Sequence, residues 1–352
     1  LDRGDHLSVD AHRRAEAPAI VVDNGSTTLR VGLAGYDRPV ALPAVIERNG
    51  DQLGQEARNL GVISMSRVSF PIREGIVTDW EHAERLWRGA CRAKLDVDVA
   101  GQALMLSESP RATAADRNEL AEHVFEGLAV ASVAVVKRSV LSLAAYGRTS
   151  GLVVHAGDQT AYVLAVDDLD VAGMAVGYAA GREVTDALFR QLQQEGLTNF
   201  EARDLHVFKR MKEQIGAVAP PSGAEATASR QYTLPDGSTI TLGSERSLCA
   251  ERLFEPKHGL PATALAALDC CTPTVRATAL SNTVFTGGTT QLDGFTARML
   301  AELPGAVCCK DTDADADVRS WIGQSIVASL PTYHGWCTQA EYQELGGMRA
   351  YM

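Results

Sequence analysis

The chain has 352 residues, with 33 Lys and Arg against 44 Asp and Glu, so its formal charge is -11 at pH 7. Proteins that coat nucleic acids neutralise phosphates with a basic surface, and this acidic balance argues against that class. Hydrophobic residues make up 45% of the chain, which is typical of a globular protein and not of a disordered one. A core of this size usually divides, so the length predicts two domains or two lobes.

The cysteines and the apolar runs indicate in which cellular compartment the protein is expected. The seven cysteines include no CxxC pair of the kind that zinc and redox sites use. Residues 1–17 are polar and charged, without the apolar region of a signal peptide, and predict a disordered tail. The longest apolar stretch, at 128–136, is too short to span a bilayer. We therefore expect a reduced, cytoplasmic protein with no membrane insertion.

The first predicted element is a β-hairpin. Residues 19–22 (AIVV) form a β-branched run, the turn residues DNGS follow at 23–26, and a second strand is expected at 27–33. The same pattern returns at 151–164, where GLVV leads through HAGD into QTAYVL. In register, Asp23 corresponds to His155, Gly25 to Gly157 and Ser26 to Asp158. The pattern indicates an internal duplication of a lobe that begins with a hairpin.

Strands and helices alternate along the rest of the chain, which is typical of an α/β protein. Helical periodicity is present at 80–95 and at 114–128, the latter after the capping residues Thr113 and Asp116. The remaining predicted elements are helices at 184–194, 201–215 and 321–330, a strand running into a helix at 133–146, strands at 104–106 and 283–285, a hairpin turn at 234–237 (LPDG), and loops at 219–229 and 311–317.

The two hairpin turns have a pattern suited to phosphate binding. A turn rich in Gly and Ser points consecutive backbone N–H groups into one concavity, which can bind phosphate oxygens. Asp23 and Asp158 stand at the mouths of the turns, where carboxylates can hold the water ligands of a Mg²⁺ ion that bridges phosphates. Arg30 adds a permanent positive charge. One such turn alone is more often a plain hairpin, but two matched acidic copies facing each other across a cleft favour phosphate binding.

Other nucleotide and metal motifs are not present in the sequence. It contains no GxxxxGKS/T, GxGxxG, HExxH or GxSxG pattern, so P-loop, Rossmann, zincin and hydrolase-elbow sites are not expected. Alternating aspartates at 311–317 resemble the start of a calcium loop. However, Ala316 stands where that loop needs Gly, and Ile322 where it needs a bidentate Glu, so we expect a solvated loop.

Six motifs carry a resemblance to a known family. They are VVDNGS at 21–26 with VGLAG at 31–35, FPI at 70–72 with GIVTDW at 75–80, VLSL at 140–143 with GRT at 147–149, LPDG at 234–237, GGTT at 287–290 and WIG at 321–323. In this order and spacing, the sequence resembles actin and the actin-related proteins over residues 19–346.

The resemblance implies the actin-like ATPase fold, an α/β architecture in which two duplicated ribonuclease-H-like lobes form four subdomains around a nucleotide cleft. Subdomain 1 would comprise residues 18–43, 71–145 and 319–352, and subdomain 2 residues 44–70. Subdomain 3 would comprise residues 146–181 and 259–318, and subdomain 4 residues 182–258.

The resemblance also implies a bound ATP or ADP with Mg²⁺, or with Ca²⁺ in vitro. The first phosphate loop matches Asp23, Gly25, Ser26 and Arg30, with Arg30 in place of a Lys, and the second matches Gly157 and Asp158. Asp23 and Asp158 would contact the metal through water. The contacts to ribose, base and α-phosphate match a third set of positions, Gly181, Lys212, Glu213, Gly287, Gly288 and Thr289.

Three positions depart from the family pattern for hydrolysis. Where the family has a Gln, an Asp and a His that orient the attacking water, this chain has Arg138, His155 and Tyr162. An Arg cannot accept a hydrogen bond, although its charge could stabilise the phosphate, and His155 could act as a base near neutral pH. Because water-positioning groups commonly contribute several kcal/mol, we expect slow or absent hydrolysis.

Two assembly segments are shortened. The subdomain 2 loop that inserts into the next protomer is reduced to 44–53, and the apolar plug after Phe254 to 255–261. Losing apolar anchors predicts self-association through non-standard filament or oligomer contacts. The alternative is a non-polymerising subunit of a larger assembly, such as a motor adaptor or chromatin complex. Sugar kinases and Hsp70-type chaperones share the duplicated hairpins and form a third class by fold analogy alone.

The resemblance also implies a location and partners. It places the protein in the cytoplasmic cytoskeleton, with the nucleus as the alternative. Proteins of the actin-binding type would dock at the cleft between subdomains 1 and 3.

Overall fold

The computed structural model describes residues 17–196, 204–221, 228–309 and 316–345. These residues fall into two compact units, the first made of 17–145 with 320–345 and the second lying within 146–319. The second unit is therefore inserted between two parts of the first. The expected division of each unit into two subdomains stays a prediction.

The strands are numbered in chain order. They are β1 (Ile20–Asn24), β2 (Thr28–Leu33), β3 (Val40–Pro43), β4 (Ile46–Glu47), β5 (Val68–Ser69), β6 (Ile72–Arg73), β7 (Ile76–Val77), β8 (Ala103–Glu108), β9 (Ser132–Lys137), β10 (Gly151–Ala156), β11 (Ala161–Asp167), β12 (Asp170–Val176), β13 (Arg230–Thr233), β14 (Thr239–Leu242), β15 (Thr283–Thr286) and β16 (Cys337–Thr338).

The α-helices are numbered in the same way. They are α1 (Gln55–Ile63), α2 (Trp80–Leu95), α3 (Ala114–Glu122), α4 (Arg138–Ala144), α5 (Gly181–Gln194), α6 (Leu205–Ile215), α7 (Glu245–Leu248), α8 (Leu260–Asp269), α9 (Pro273–Ser281), α10 (Phe295–Glu302), α11 (Arg319–Ser329) and α12 (Gln339–Leu345).

Each unit is built on a sheet of the same design. In the first, the strand order is β16-β9-β8-β1-β2-β3, and in the second it is β12-β11-β10-β15. In both, a hairpin supplies two antiparallel strands, and its first strand pairs in parallel with a later strand, β8 beside β1 and β15 beside β10. The predicted internal duplication is confirmed by this shared order.

The two hairpins also match residue by residue. Asp23 lies opposite Arg30 in the first, and His155 lies opposite Tyr162 in the second. The last paired residues are Asn24 with Leu29 in the first hairpin and Ala156 with Ala161 in the second, so the two turns have the same length. The register proposed from the sequence, with Asp23 equivalent to His155, is therefore confirmed.

The helix expected at 114–128 is the main local difference. Thr113 and Asp116 form the predicted capping box, but α3 ends at Glu122, and residues His123–Gly127 form a wider π-helical turn. There the Nδ1 atom of His123 lies 2.6 Å from Glu84 Oε1, and Arg88 donates to the carbonyl of Gly127 at 2.6 Å. A side chain at Gly127 would overlap Glu84. The wider turn thus occurs where the backbone packs directly on α2.

The core of the first unit explains why its central strands contain unbroken apolar runs, at 20–22 in β1, 103–106 in β8 and 133–136 in β9. Strands paired in parallel are covered on both faces and need no polar alternation. One face of β1 packs on α2, whose buried residues include Leu86 and Trp87, and the other face, at Val21, packs on Trp321 of α11. The indole N–H of Trp321 donates to the carbonyl of Val21 at 3.2 Å.

The second unit has its own core. Leu152 and Val154 of β10 and the facing residues of β11 pack against the apolar side of α5, which carries Val184, Leu188 and Leu192. Helices α6 and α8 extend the same cluster. The predicted helices at 184–194 and 201–215 and the hairpin around 234–237 are confirmed where the structure describes them.

Parts of several predicted segments lie outside the described residues. These are most of the tail at 1–17, the start of the helix at 201–215, and portions of the loops at 219–229 and 311–317. Of the helices that the structure does describe, none is both long and apolar enough to cross a membrane.

Gly323 offers a test of the packing between α11 and α4. A Cβ atom there would lie 1.8 Å from the carbonyl oxygen of Leu141, so Gly323→Ala must separate the two helices. We expect a loss of about 1–3 kcal/mol, which lowers the thermal midpoint of a unit of this size by several degrees. All four tryptophans lie in the first unit, so tryptophan fluorescence reports its unfolding alone.

Ile326 is the matched control, since it lies on the same helix and is 39% exposed. Ile326→Ala should change the midpoint little. If Gly323→Ala unfolds at the wild-type temperature, α11 and α4 do not approach each other as closely as described.

Candidate functional site

Asp23 is the most constrained charged group of the first unit. It lies near the end of β1 and is 3% exposed. Its Oδ1 atom accepts hydrogen bonds from the hydroxyl of Ser107 at 2.6 Å and from Nε of Arg138 at 3.0 Å. Its Oδ2 atom accepts one from the hydroxyl of Ser320 at 2.8 Å and lies 3.9 Å from an Arg30 guanidinium nitrogen. Both oxygens of the carboxylate are therefore engaged.

These contacts decide the ionisation of Asp23. Burial by itself would raise the pKa of Asp23, but the guanidinium groups of Arg138 and Arg30 and the hydrogen bonds from Ser107 and Ser320 lower it to about 2. The carboxylate is thus ionised in the folded protein at neutral pH, and its charge is balanced within the first unit.

Arg138 is held in place through two nitrogens of its guanidinium group, Nε and Nη2. It is the first residue of α4, directly after β9, and it is 6% exposed. Besides Asp23, it donates through Nη2 to the carbonyl of Asn24 at 2.6 Å and to Ser107 Oγ at 3.2 Å. From the sequence, this charge was expected at most to stabilise a phosphate, and its ion pair with Asp23 was not predicted.

The strand order explains this pairing. In β9-β8-β1 the three neighbouring strands are parallel, so their carboxyl ends meet at one edge of the sheet. Arg138 follows β9, Ser107 lies in β8 and Asp23 in β1. The sequence predicts each strand but not their order. Only the order shows that Arg138 lies beside Asp23.

The other predicted residues of the first turn surround this pair. A Cβ atom at Gly25 would lie 2.3 Å from the carbonyl oxygen of Thr28, so the turn requires glycine. The hydroxyl of Ser26 accepts a hydrogen bond from the N–H of Gly75 at 2.9 Å. That hydroxyl keeps its own proton to donate to a ligand.

The second turn brings together residues that are far apart in the sequence. The carbonyl of Gly157 accepts hydrogen bonds from the N–H of Gly181 at 2.9 Å and from the hydroxyl of Thr289 at 2.7 Å. A Cβ atom at Gly287 would lie 3.0 Å from the N–H nitrogen of Gly157. Gly157, Gly181, Gly287 and Thr289, which the sequence predicted as nucleotide contacts, therefore form one cluster in the second unit.

Lys212 completes this cluster. It lies on α6 and is 3% exposed, and its ammonium group donates to the carbonyl of Gly181 at 2.7 Å. Burial lowers the pKa of Lys212, although the charges of Asp158 and Glu213 act in the opposite direction. An ammonium group has three protons, so the hydrogen bond to Gly181 leaves capacity for ligand oxygens.

The charged residues at the rim of the cluster are paired. Lys209 Nζ lies 2.8 Å from Asp158 Oδ1 and 4.0 Å from Glu213 Oε1. The Glu213 side chain is 54% exposed, whereas those of Lys209 and Asp158 are 18% and 20% exposed. A Cβ atom at Gly288 would meet no heavy atom within 4 Å, so the space beside it is open. Lys209 was not predicted as a site residue.

His155 contacts two threonine hydroxyls and one aromatic ring. Its Nδ1 atom lies 3.0 Å from the hydroxyl of Thr286 and its Nε2 atom 3.4 Å from that of Thr160. The ring stacks on Tyr162 with centroids 4.5 Å apart. Two threonine hydroxyls and the Tyr162 ring therefore line the imidazole of His155.

The comparisons with known proteins agree with this fold. Residues 14–351 match the family described as Actin. The chain belongs to the actin family. It is 31% identical to Actin-like protein 7B of Macaca fascicularis over 98% of this chain and 90% of that protein. It is 30% identical to Actin-like protein 7B of Homo sapiens over 95% of this chain and 87% of that protein.

Membership of the actin family confirms the predicted α/β actin-like fold. Members of the family generally bind a nucleotide and a divalent metal, and they self-associate or bind actin-binding partners. The roles assigned above to individual residues of this actin-family chain stay predictions.

The buried charge of Asp23 predicts an acid-sensitive first unit. The pKa of Asp23 is about 2 when folded and is expected near 3.8 when unfolded. Because the folded value is the lower one, the stabilisation is present above pH 4 and is lost as the pH falls toward 2. The shift corresponds to roughly 2 kcal/mol.

The measurement is urea unfolding followed by tryptophan fluorescence at a series of acidic pH values. Asp23→Asn should have a lower free energy of unfolding at neutral pH because it leaves Arg138 without its counter-charge. The difference in unfolding free energy between this variant and wild type should decrease as the pH falls. Exposed Asp37 gives the matched control Asp37→Asn. A difference in unfolding free energy between wild type and Asp23→Asn that does not change with pH would contradict the pKa assigned to Asp23.

Proposed function

We propose that this actin-family chain binds ATP or ADP as a cytoskeletal protein of the cytoplasm and hydrolyses the nucleotide slowly or not at all. The observation that carries the proposal is the cluster around Lys212. A buried ammonium group and the glycines at 157, 181 and 287 come from four separate segments and meet at one place. These are positions at which the family resemblance expects a nucleotide.

The chemistry of the cluster supports a polyanionic or polyhydroxyl ligand. A buried lysine is costly unless it is paired or hydrogen-bonded, and Gly181 supplies one neutral acceptor here. Oxygens of ribose or phosphate would supply further acceptors. The glycine turn of the first unit has phosphate donors of its own, the Ser26 hydroxyl and the Arg30 guanidinium.

The same structure argues for slow hydrolysis. Attack by water requires a group that accepts its hydrogen bond and orients it. Arg138 has no acceptor atom, and its guanidinium is bound to Asp23 and Asn24. His155 contacts two threonine hydroxyls and stacks on Tyr162. The position where the family has a Gln therefore supplies no acceptor for the attacking water.

Assembly is proposed to be non-standard because the subdomain 2 turn is short and bound to its own unit. Between β4 and α1, Arg85 of α2 donates to the carbonyl of Arg48 at 3.0 Å, to that of Glu47 at 3.4 Å and also to that of Gly50. A turn fixed in this way has no free length to insert into another protomer. The same observation favours the second candidate, a non-polymerising subunit of a larger complex that holds nucleotide as a structural ligand.

Nucleotide binding is tested by titrating a fluorescent ATP analogue into wild type and Lys212→Met. A hydrogen bond from a charged group contributes about 1.5–3 kcal/mol, so affinity should fall by about 10-fold or more. Lys94→Met is the matched control, because Lys94 is an exposed lysine at the end of α2. Wild type that fails to bind ATP and ADP at millimolar concentration would contradict the proposed function.

Hydrolysis and assembly are tested on the wild-type protein with saturating ATP. Phosphate release should be slower than that of conventional actin measured in parallel, and a rate equal to or above actin's would refute slow hydrolysis. Pelleting and electron microscopy over a range of protein concentrations separate the two candidates. Filaments formed without a partner exclude an obligate subunit, and their absence at every concentration excludes a self-assembling filament.

A further inference from the structure

The divalent metal that the family generally binds meets an unusual set of donors in this chain. Magnesium prefers oxygen ligands and usually keeps several waters, which carboxylates hold by accepting hydrogen bonds. The sequence assigns that task to Asp23 and Asp158. Both carboxylates already carry a cationic side chain, Arg138 at 3.0 Å and Lys209 at 2.8 Å. The residues present therefore fit a hydrated dication poorly.

Asp23 shows the conflict most clearly. A carboxylate has about four acceptor sites, and three donors, from Ser107, Arg138 and Ser320, already occupy its oxygens. Arg30 lies a further 3.9 Å away. One acceptor site, on Oδ2, therefore remains for a metal-bound water, and the dication that held this water would stand close to the permanent guanidinium charges of Arg138 and Arg30.

Arg138 is also not free to move aside at low cost. Its guanidinium donates to Asn24 and Ser107 as well as to Asp23, and the side chain is nearly fully buried. Withdrawing it would leave the Asn24 carbonyl and a buried carboxylate with fewer donors. Burial of an uncompensated charge is strongly unfavourable, so the pair is expected to persist when a ligand binds.

We propose that Arg138 and Lys209 replace the divalent metal as counter-charges of Asp23 and Asp158, and that this chain binds its nucleotide without Mg²⁺. This inference rests on the proposed nucleotide binding. Arg138 neutralises the carboxylate of the first turn and Lys209 that of the second, each within its own unit. At either turn, a phosphate then meets an aspartate that is already neutralised and does not repel it.

The experiment measures the affinity for a fluorescent ADP analogue after dialysis against EDTA, with EDTA or with excess Mg²⁺ in the cuvette. For wild type we expect the two dissociation constants to agree within about 3-fold, a difference below 1 kcal/mol. For Arg138→Gln, which removes the charge and supplies the family's residue, we expect affinity at least about 10-fold weaker in EDTA than in Mg²⁺.

Two further variants separate charge from shape. Arg138→Lys retains the positive charge, so its binding should remain largely independent of Mg²⁺. Arg92→Gln is the matched control, because Arg92 is an exposed arginine paired with Asp98 at 3.4 Å. It should behave as wild type. If Arg138→Gln does not fold, the comparison of EDTA with Mg²⁺ in wild type still decides the inference.

The outcomes distinguish this inference from the proposed function. Wild type that binds ADP only with Mg²⁺ overturns the inference and leaves nucleotide binding intact. Wild type that binds in neither condition overturns the proposed function and the inference with it. Equal binding in wild type and in Arg138→Gln, with and without Mg²⁺, would show that Arg138 is not the counter-charge.

Discussion

A carboxylate buried at the ends of parallel strands must be neutralised where it lies, and in the first unit this requirement falls on Asp23. Its partners come from β8, from the junction of β9 with α4, and from α11. One side chain thus ties together residues 23, 107, 138 and 320. Breaking a buried ion pair by removing one partner costs about 3–5 kcal/mol, so these segments depend on one another through a single charge.

The second copy of the duplication has different side chains at the same position. His155 occupies the register position of Asp23, and Tyr162 that of Arg30. The rings of these two residues stack, and two threonine hydroxyls contact the imidazole. The repeated backbone therefore places an electrostatic contact in one unit and an aromatic contact in the other. The charge that remains in the second turn, at Asp158, is balanced by Lys209 on α6.

Local sequence patterns correctly predicted the features that depend on residues close together in the chain, such as helix bounds and hairpin register. The helix at 80–95 was predicted with its bounds because Asp79 caps its first turn and its apolar residues share one face. Hairpin register followed from the turn length. The sequence did not predict the π-helical turn at 123–127, the ion pair of Arg138 with Asp23, or that of Lys209 with Asp158. Each of these depends on a neighbour distant in the sequence, and strand order, which positions such neighbours, leaves no local pattern.

The arginine at position 138 therefore has two consequences, one for hydrolysis and one for the charge of Asp23. At the position where the family resemblance expects a water-orienting Gln, an arginine removes an acceptor. As a partner of Asp23, the same arginine supplies a positive charge that a glutamine cannot supply. A lysine would provide the charge but has no planar fork, so it could not address Asp23, Asn24 and Ser107 together with fixed geometry. The three acceptors around Arg138 are thus the physical reason that both consequences follow from this one side chain.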